Sequence, residues 1–341
     1  MQERSEAGSS VSVVMPLYNA QSTIERCLAP LLEMLARGEI FELIVVDDGS
    51  TDRSVELVGA HSQVQLLRSA QRGGPGAARN IGATQARGKY LWFVDSDVVL
   101  APDAARVLGT LLSGEQPQAV IGSYDDAPGA HNFLSQYKNL VHAYYHHRGR
   151  RRASTFWSGC GAVRRDLFVR LGGFDAKRYP YPSIEDIELG YRIIGAHGAI
   201  VLEPALQGKH LKEWRLVNLL HTEVFRRAIP WSLLMLERGQ LTDDLNVGRG
   251  ERVRALIAGM LLLAIVAGAI GLISPLSSAG ALALALVANR DLLRFLWARR
   301  GAWFACRALA YHQFYYLYSG ASFAAAKVQH CWHRLRVKRY L

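Results

Sequence analysis

The chain has 341 residues, half of them hydrophobic, and a formal net charge of +11. That length exceeds one ordinary core and leaves room for a domain of about 200 to 250 residues with something attached. The four scattered cysteines, with no CxxC pair, exclude a zinc module or a disulfide framework and read as reduced thiols, while the polar stretch Met1 to Ser10 lacks the apolar core of an export signal.

In chain order, Val11 to Met15 is a β-branched run closed by Pro16, and Asn19 to Arg37 sets Ile24, Leu28, Leu31, Leu32 and Leu35 at helical spacing. Phe41 to Val46 predicts a second buried strand, running into Asp47-Asp48-Gly49-Ser50 and a helix from about Asp52 to Ala60. Gln63 to Arg68 is a third strand candidate. Gly73-Gly74-Pro75-Gly76 reads as a turn before a helix over Ala77 to Ala86, and Tyr90 to Val94 is an apolar strand ending on Asp95-Ser96-Asp97. This alternation implies an α/β fold with a mostly parallel sheet, helices on both faces and ligands at the carboxyl ends of the strands.

Both acidic clusters lie at such ends. Asp95 and Asp97 stand one residue apart, a spacing that suits one hard cation, Mn2+ or Mg2+, with positions left for phosphate oxygens; an acidic strand-end turn would look the same. Asp47 or Asp48 can accept hydrogen bonds from a base or a ribose, and turn formation with a helix cap accounts for the same residues. Ser183-Ile184-Glu185-Asp186 opens a helix whose apolar face is Ile184, Ile187, Tyr191 and Ile194. Its spacing fits a capping box, and a general base at the positive end of a helix fits it as well.

In this order, Val-Ser-Val-Val-Met-Pro-Leu-Tyr-Asn at 11–19, Val-Val-Asp-Asp-Gly-Ser-Thr-Asp at 45–52, Gly-Ala-Ala-Arg-Asn-Ile-Gly at 76–82, Asp-Ser-Asp at 95–97 and Ile-Glu-Asp at 184–186 resemble the successive signatures of the family 2 glycosyltransferases over roughly Val11 to Trp214. The resemblance implies a GT-A (Rossmann-like) fold and an inverting, metal-dependent transfer from a UDP- or GDP-sugar. It implies donor contacts from Pro16, Tyr18, one of Asp47 and Asp48, and Arg79 near the phosphates. It implies metal-bridged diphosphate binding at Asp95 and Asp97, and an Ile-Glu-Asp motif in which Asp186, beside Glu185, deprotonates the acceptor. Phe156 to Ala162 is similar to the segment beside the donor sugar, where Trp157 can pack on a ring, although a strand entering the core fits too. His210 resembles a third metal or diphosphate ligand. His210 to Trp214 lacks the Gln-x-x-Arg-Trp of processive synthases, which favours single addition.

Beyond this domain, taken as 11–214 after a disordered 1–10, come amphipathic interfacial helices and a linker at 215–250, a transmembrane hairpin at 251–300, and an aromatic membrane-associated segment with a basic tail at 301–341. Val253 to Ile273 is long enough to cross a bilayer, and Gly280 to Ala288 resumes the apolar run after Pro275. Arg249, Arg252 and Arg254 precede the first run, and Arg290, Arg294, Arg299 and Arg300 follow the second. By the positive-inside rule both ends and the catalytic domain face the cytoplasm. Trp303 to Ala326, with Arg307 and His312, is expected at the cytoplasmic interface beside Leu216 to Leu236, before the basic run Arg334 to Arg339. Basic residues flanking apolar segments point to an anionic membrane surface and a lipid-linked or membrane-proximal acceptor, with no nucleic acid partner. The basic stretch of His142, His146, His147, Arg148 and Arg150 to Arg152 reads equally as an acceptor-phosphate contact or a solvated helix face. Two alternatives are an inactive sugar-nucleotide-binding membrane scaffold, against which intact Asp97 and Asp186 argue, and a nucleotidyltransferase, whose basic Gly-rich loop is missing after the first strand.

Overall fold

A computed structural model describes residues 10–241, 243 and 245–338; the expected disordered N-terminus before Ser10 and the basic tail from Arg339 onward lie outside the described residues. The chain divides into two compact units, Met1–Glu213 and Trp214–Leu341. In chain order the first contains β1 (Val11–Leu17), α1 (Ile24–Ala36), β2 (Glu42–Asp47), α2 (Ser54–Gly59), β3 (Gln65–Arg68), α3 (Gly74–Gln85), β4 (Tyr90–Val94), β5 (Val98–Leu100) and α4 (Ala104–Gly114). It continues with β6 (Ala119–Tyr124), α5 (Phe133–Arg148), β7 (Arg152–Ala153), β8 (Cys160–Arg164), α6 (Arg165–Arg170), α7 (Glu185–Gly195) and β9 (Ile200–His210).

The strands form one sheet in the order β3-β2-β1-β4-β8-β6-β9-β5, with β7 paired to β9. β1, β2 and β4 are buried along their whole length because helices cover both faces, so their sequences are runs rather than alternations. Val11, Val13, Met15 and Leu17 share one core with Ile24, Leu28 and Leu31 of α1 and Leu108 of α4. The opposite face meets α3 so closely that a Cβ on Gly82 would lie 2.4 Å from Val14 Cγ1.

From β3 to β4 the sheet is parallel. Beyond β4 it is mixed: β8 runs antiparallel to β4 and β6, β5 antiparallel to β9, and β6 parallel to β9. The expectation of a mostly parallel sheet therefore holds for the first half. The turn between β4 and β5 is too short for a crossover, which takes a dozen residues or more, so β5 leaves its predecessor and pairs with β9 instead.

One detail of register positions the site. β1 pairs with β2 through Leu17↔Asp47, but its pairing with β4 stops at Val14↔Phe93. Pro16, with no N–H to give, falls just past that last pair. The carboxyl ends of β1 and β4 therefore part, and strand ends that part in this way open a ligand crevice.

The second unit contains α8 (Leu216–His221), a π-type segment at Thr222–Ala228, α9 (Ile229–Arg238), α10 (Arg249–Ala269), α11 (Pro275–Ala288) and α12 (Arg290–Lys338). Among the described residues one helix, α10, is by itself long and apolar enough to cross a membrane. α11 and α12 pass the same test only as a pair, bent by 71° at Asn289. α12 is broken again at Gly301, where φ is 82°. Arg254 near the start of α10 donates from Nε to the Ala288 carbonyl at the end of α11 at 2.8 Å, so these two ends lie together. Tyr316 of α12 donates to Glu251 in the first turn of α10 at 2.6 Å, at the same level.

Candidate active site

At the end of β2, Asp47 Oδ1 accepts from the Ser50 amide at 2.9 Å and closes the turn that Gly49 makes with φ +84°. Asp48 grips the start of α3, its two oxygens accepting from the Gly73 and Gly74 amides at 2.8 Å each. Each carboxylate oxygen has two lone pairs, so this anchoring leaves acceptor capacity on both residues. Tyr18, past the end of β1, is exposed, and the Arg72 guanidinium sits 3.9 Å from its ring centroid. Pro16 is buried.

Asp95-Ser96-Asp97 forms a tight turn closed by Val98 N donating to Asp95 O at 3.0 Å. α1 pins the turn from one side: Thr23 Oγ1 donates to the Ser96 carbonyl at 2.8 Å. β9 pins it from the other, with His210 paired to Val98 and Leu211 N donating to Asp97 O at 2.8 Å. This brings His210 Nε2 to 3.6 Å from Asp97 Oδ2, too long for a hydrogen bond and close to the separation of two neighbouring ligands on one cation. Burial pushes the Asp97 carboxyl up, but His210 and then Lys212 outweigh it and hold the group below the usual carboxylate range. About a third of the Asp97 side chain remains open.

Asp186 stands in the first turn of α7. Its Oδ2 accepts from Ser158 N at 3.1 Å and Ser158 Oγ at 3.2 Å, and its Oδ1 from Ile187 N at 2.8 Å. The helix start falls at a different residue from the Ser183 that the spacing suggested. The residue before the helix is Ile184, with no side-chain cap, and the Ser183 amide is held by Glu185 Oε2 at 2.9 Å. The inward face of α7 also differs from the expected stripe: Ile184, Leu189, Tyr191 and Ile193 are buried, while Ile194 is 40% exposed.

Glu185 and Arg79 are both enclosed. Arg79 Nη2 donates to Asp95 Oδ1 at 2.6 Å and Nη1 to Glu185 Oε1 at 3.2 Å. Burial raises the Glu185 carboxyl, the neighbouring Asp186 charge raises it further, and Arg79 opposes both. Asp95 is raised for the same first reason, against Arg79. The guanidinium that the family resemblance aimed at the donor phosphates is occupied by two carboxylates.

Behind His210 lies an aromatic wall. Tyr124 stacks on the His210 ring at 4.4 Å and 13°, and Trp157 meets Tyr124 edge-on at 4.8 Å. His142 and His146 of α5 stack at 3.9 Å and both lean on Trp157. His146 is buried, its Nδ1 2.8 Å from the Gly122 carbonyl. The basic stretch thus splits: His142 and His146 turn inward, while His147, Arg148 and Arg150 to Arg152 are exposed. Arg151 there pairs with Glu115 and Glu203. Sequence reasoning missed the hold of Ser158 on Asp186 and the placement of Tyr124. The Phe156-to-Ala162 segment was the available signal for the first, and nothing local marked the second.

The buried thiols fit the reduced state: burial pushes Cys160 up to about 12 and Cys27 higher still, and all four cysteines are free.

Residues 12–172 match the model of glycosyl transferase family 2. The poly(ribitol-phosphate) beta-glucosyltransferase of Bacillus spizizenii is 37% identical over 99 residues, 28% of this chain and 16% of that protein. Glycosyltransferase GlyG of Streptococcus pneumoniae is 33% identical over 118 residues, 33% of this chain and 38% of that protein. The chain therefore spans well under two thirds of these curated relatives. Among solved structures, a mannosyltransferase from Pyrobaculum calidifontis in complex with GDP-Man and Mn2+ is similar in fold, with a TM-score of 0.51 and 19% identity over 95% of this chain and 87% of that one. With the motifs in order and the acidic turn at the parted ends of β1 and β4, the family match identifies residues 12–172 as a glycosyl transferase family 2 domain.

Proposed function

We propose that this protein is an inverting, non-processive glycosyltransferase that moves a sugar from a UDP- or GDP-sugar to a hydroxyl or phosphate of a lipid-linked or membrane-proximal acceptor. The observation that carries the reading is the gathering of two chemistries at neighbouring strand ends. β4 ends in the turn that sets Asp97 against His210, and β8, paired antiparallel to β4 through Val94↔Cys160, begins just after the Ser158 that holds Asp186.

The donor set fits a divalent cation. Among the described residues no group of three or more ligating side chains converges, but one carboxylate and one imidazole with phosphate oxygens make up a hard-cation site of the kind that Mg2+ or Mn2+ occupies. Asp97 and His210 would hold it, with Asp95, tied to Arg79, in support. Bound there, the cation supplies positive charge for the departing diphosphate.

The protein's own groups do the rest. Asp186, fixed by the Ser158 amide and hydroxyl, takes the proton of the acceptor hydroxyl as its oxygen attacks the anomeric carbon from the face opposite the diphosphate. Tyr18 and one of Asp47 and Asp48 receive the nucleoside. The second unit supplies the membrane association: α10 is exposed and apolar, with Leu256 and Leu263 outermost, and its first two turns carry Arg249, Arg252 and Arg254.

The deciding experiment incubates detergent-purified protein with a panel of UDP- and GDP-sugars and Mn2+, with a membrane lipid extract as acceptor source. Release of nucleoside diphosphate with label entering lipid is expected, lost in EDTA and restored by Mn2+ or Mg2+. Binding of nucleotide sugars without any release would leave the scaffold reading in place. Full turnover after thorough chelation would remove the cation from the account.

A further inference from the structure

Arg79 is the buried cation of the site. Its side chain is 4% exposed and lies between Asp95, at the start of the turn that carries Asp97, and Glu185, the residue before Asp186. The same two segments meet a second time through one loop, for Ser158 holds Asp186 while Asp95 N donates to the Gly159 carbonyl at 3.3 Å. The helix that carries Arg79 is itself fixed. A Cβ on Gly74, where φ is +82°, would lie 2.5 Å from the Pro180 carbonyl oxygen, and one on Gly76 would touch Phe174 and Glu185. A phosphate-binding arginine needs its fork open to the ligand, and here both terminal nitrogens are engaged by carboxylates.

We infer that Arg79 is a positioning residue for sugar transfer: the bridge Asp95–Arg79–Glu185 sets the separation between the donor-holding turn and the Asp186 base. The use made of that separation rests on the transfer reading above; the bridge does not. Reaction between bound partners is steep in distance, and a misplacement of about 1 Å costs on the order of a hundred-fold in rate. Lysine at this position keeps the charge but lacks the fork that reaches two carboxylates. Glutamine at 185 keeps the shape and an acceptor oxygen and removes the charge.

The test compares the full chain with Glu185→Gln and Arg79→Lys in detergent, using the donor that the wild type turns over. Both variants are expected to lower kcat by about a hundred-fold while the donor Kd stays within about three-fold. Wild-type kcat in Glu185→Gln overturns the inference. So does Arg79→Lys with kcat intact and a donor Kd raised by about ten-fold or more, the signature of a phosphate ligand. If Arg79→Lys does not fold, the near-isosteric Glu185→Gln decides alone. Amide hydrogen exchange is followed in parallel and needs no turnover. Exchange in 95–98 and 184–190 should rise together in Glu185→Gln, and a rise confined to one segment sinks the coupling. A chain that transfers no sugar to any acceptor therefore fails the transfer reading, while exchange still judges the bridge.

Discussion

Asp186 receives hydrogen bonds from Ser158 and Ile187 that an asparagine oxygen would still accept in part, so Asp186→Asn removes charge and basicity far more than shape. We expect this variant to lose roughly a hundred- to ten-thousand-fold in kcat, the range of one general base, with donor affinity kept within about three-fold. Thermal unfolding is the control. A drop in stability of about 1 kcal/mol with turnover intact would make the residue a helix-terminus acceptor and nothing more. Asp97→Ala belongs with it as a contrast: it removes the open carboxylate opposite His210 and should weaken donor binding as well as turnover. Isothermal titration with the donor separates the two, since equal donor affinities in wild type and Asp97→Ala would take Asp97 out of the diphosphate site.

Among the elements, short α6 gives the clearest pH signature. Burial pushes Asp166 up, yet hydrogen bonds from Arg164 and Arg170 bring it down to about 2. The sign follows from linkage. A carboxyl depressed in the folded state contributes stability above its unfolded value, near 4, and that contribution is lost as pH falls through about 2. Asp166→Asn should therefore lower the urea midpoint of the wild type at pH 6, and the gap should close between about pH 4 and pH 2. A gap that persists at low pH would mean packing, not charge. The size will be small, because the Asp166 side chain is 45% exposed.

How the elements read from sequence follows the same division between local and distant causes. β1, β2 and β4 were legible because buried strands are continuous β-branched and aromatic runs, and β4 falls on the expected Tyr90 to Val94. α3 was placed three residues late: Gly73-Gly74-Pro75-Gly76 looks like a turn, yet Gly74 takes a positive φ and Pro75 sits in the first helical turn, where its missing N–H costs nothing. Asp97 beside His210 followed from motif order. Arg79 between Asp95 and Glu185 did not, since side-chain partners across a sheet are set by packing that no local pattern records.

At the scale of the whole molecule, the expected hairpin places Arg249 to Arg254 and Asn289 on the cytoplasmic side and Ser274 to Ala279 on the other. Cys331 is exposed on α12, after the level at which Tyr316 meets Glu251. In oriented vesicles a membrane-impermeant maleimide should reach Cys331 from the cytoplasmic face, and a cysteine introduced as Ser277→Cys from the opposite face alone. Labelling of Cys331 only from outside would make α12 a further crossing.

The contact between Arg254 and the Ala288 carbonyl bears on how such a chain is made. Arg254 lies one turn into α10, and the carbonyl belongs to the last turn of α11. At the apolar edge an unmet helix-end carbonyl is expensive, and Arg254, which also pairs with Glu251 in its own helix, supplies the donor that meets it. A ribosome delivers α10 first, before the carbonyl that Arg254 meets on α11 exists. In the proposed hairpin the two helices are therefore expected to insert as one unit, and truncation before Ala288 should leave α10 less securely held.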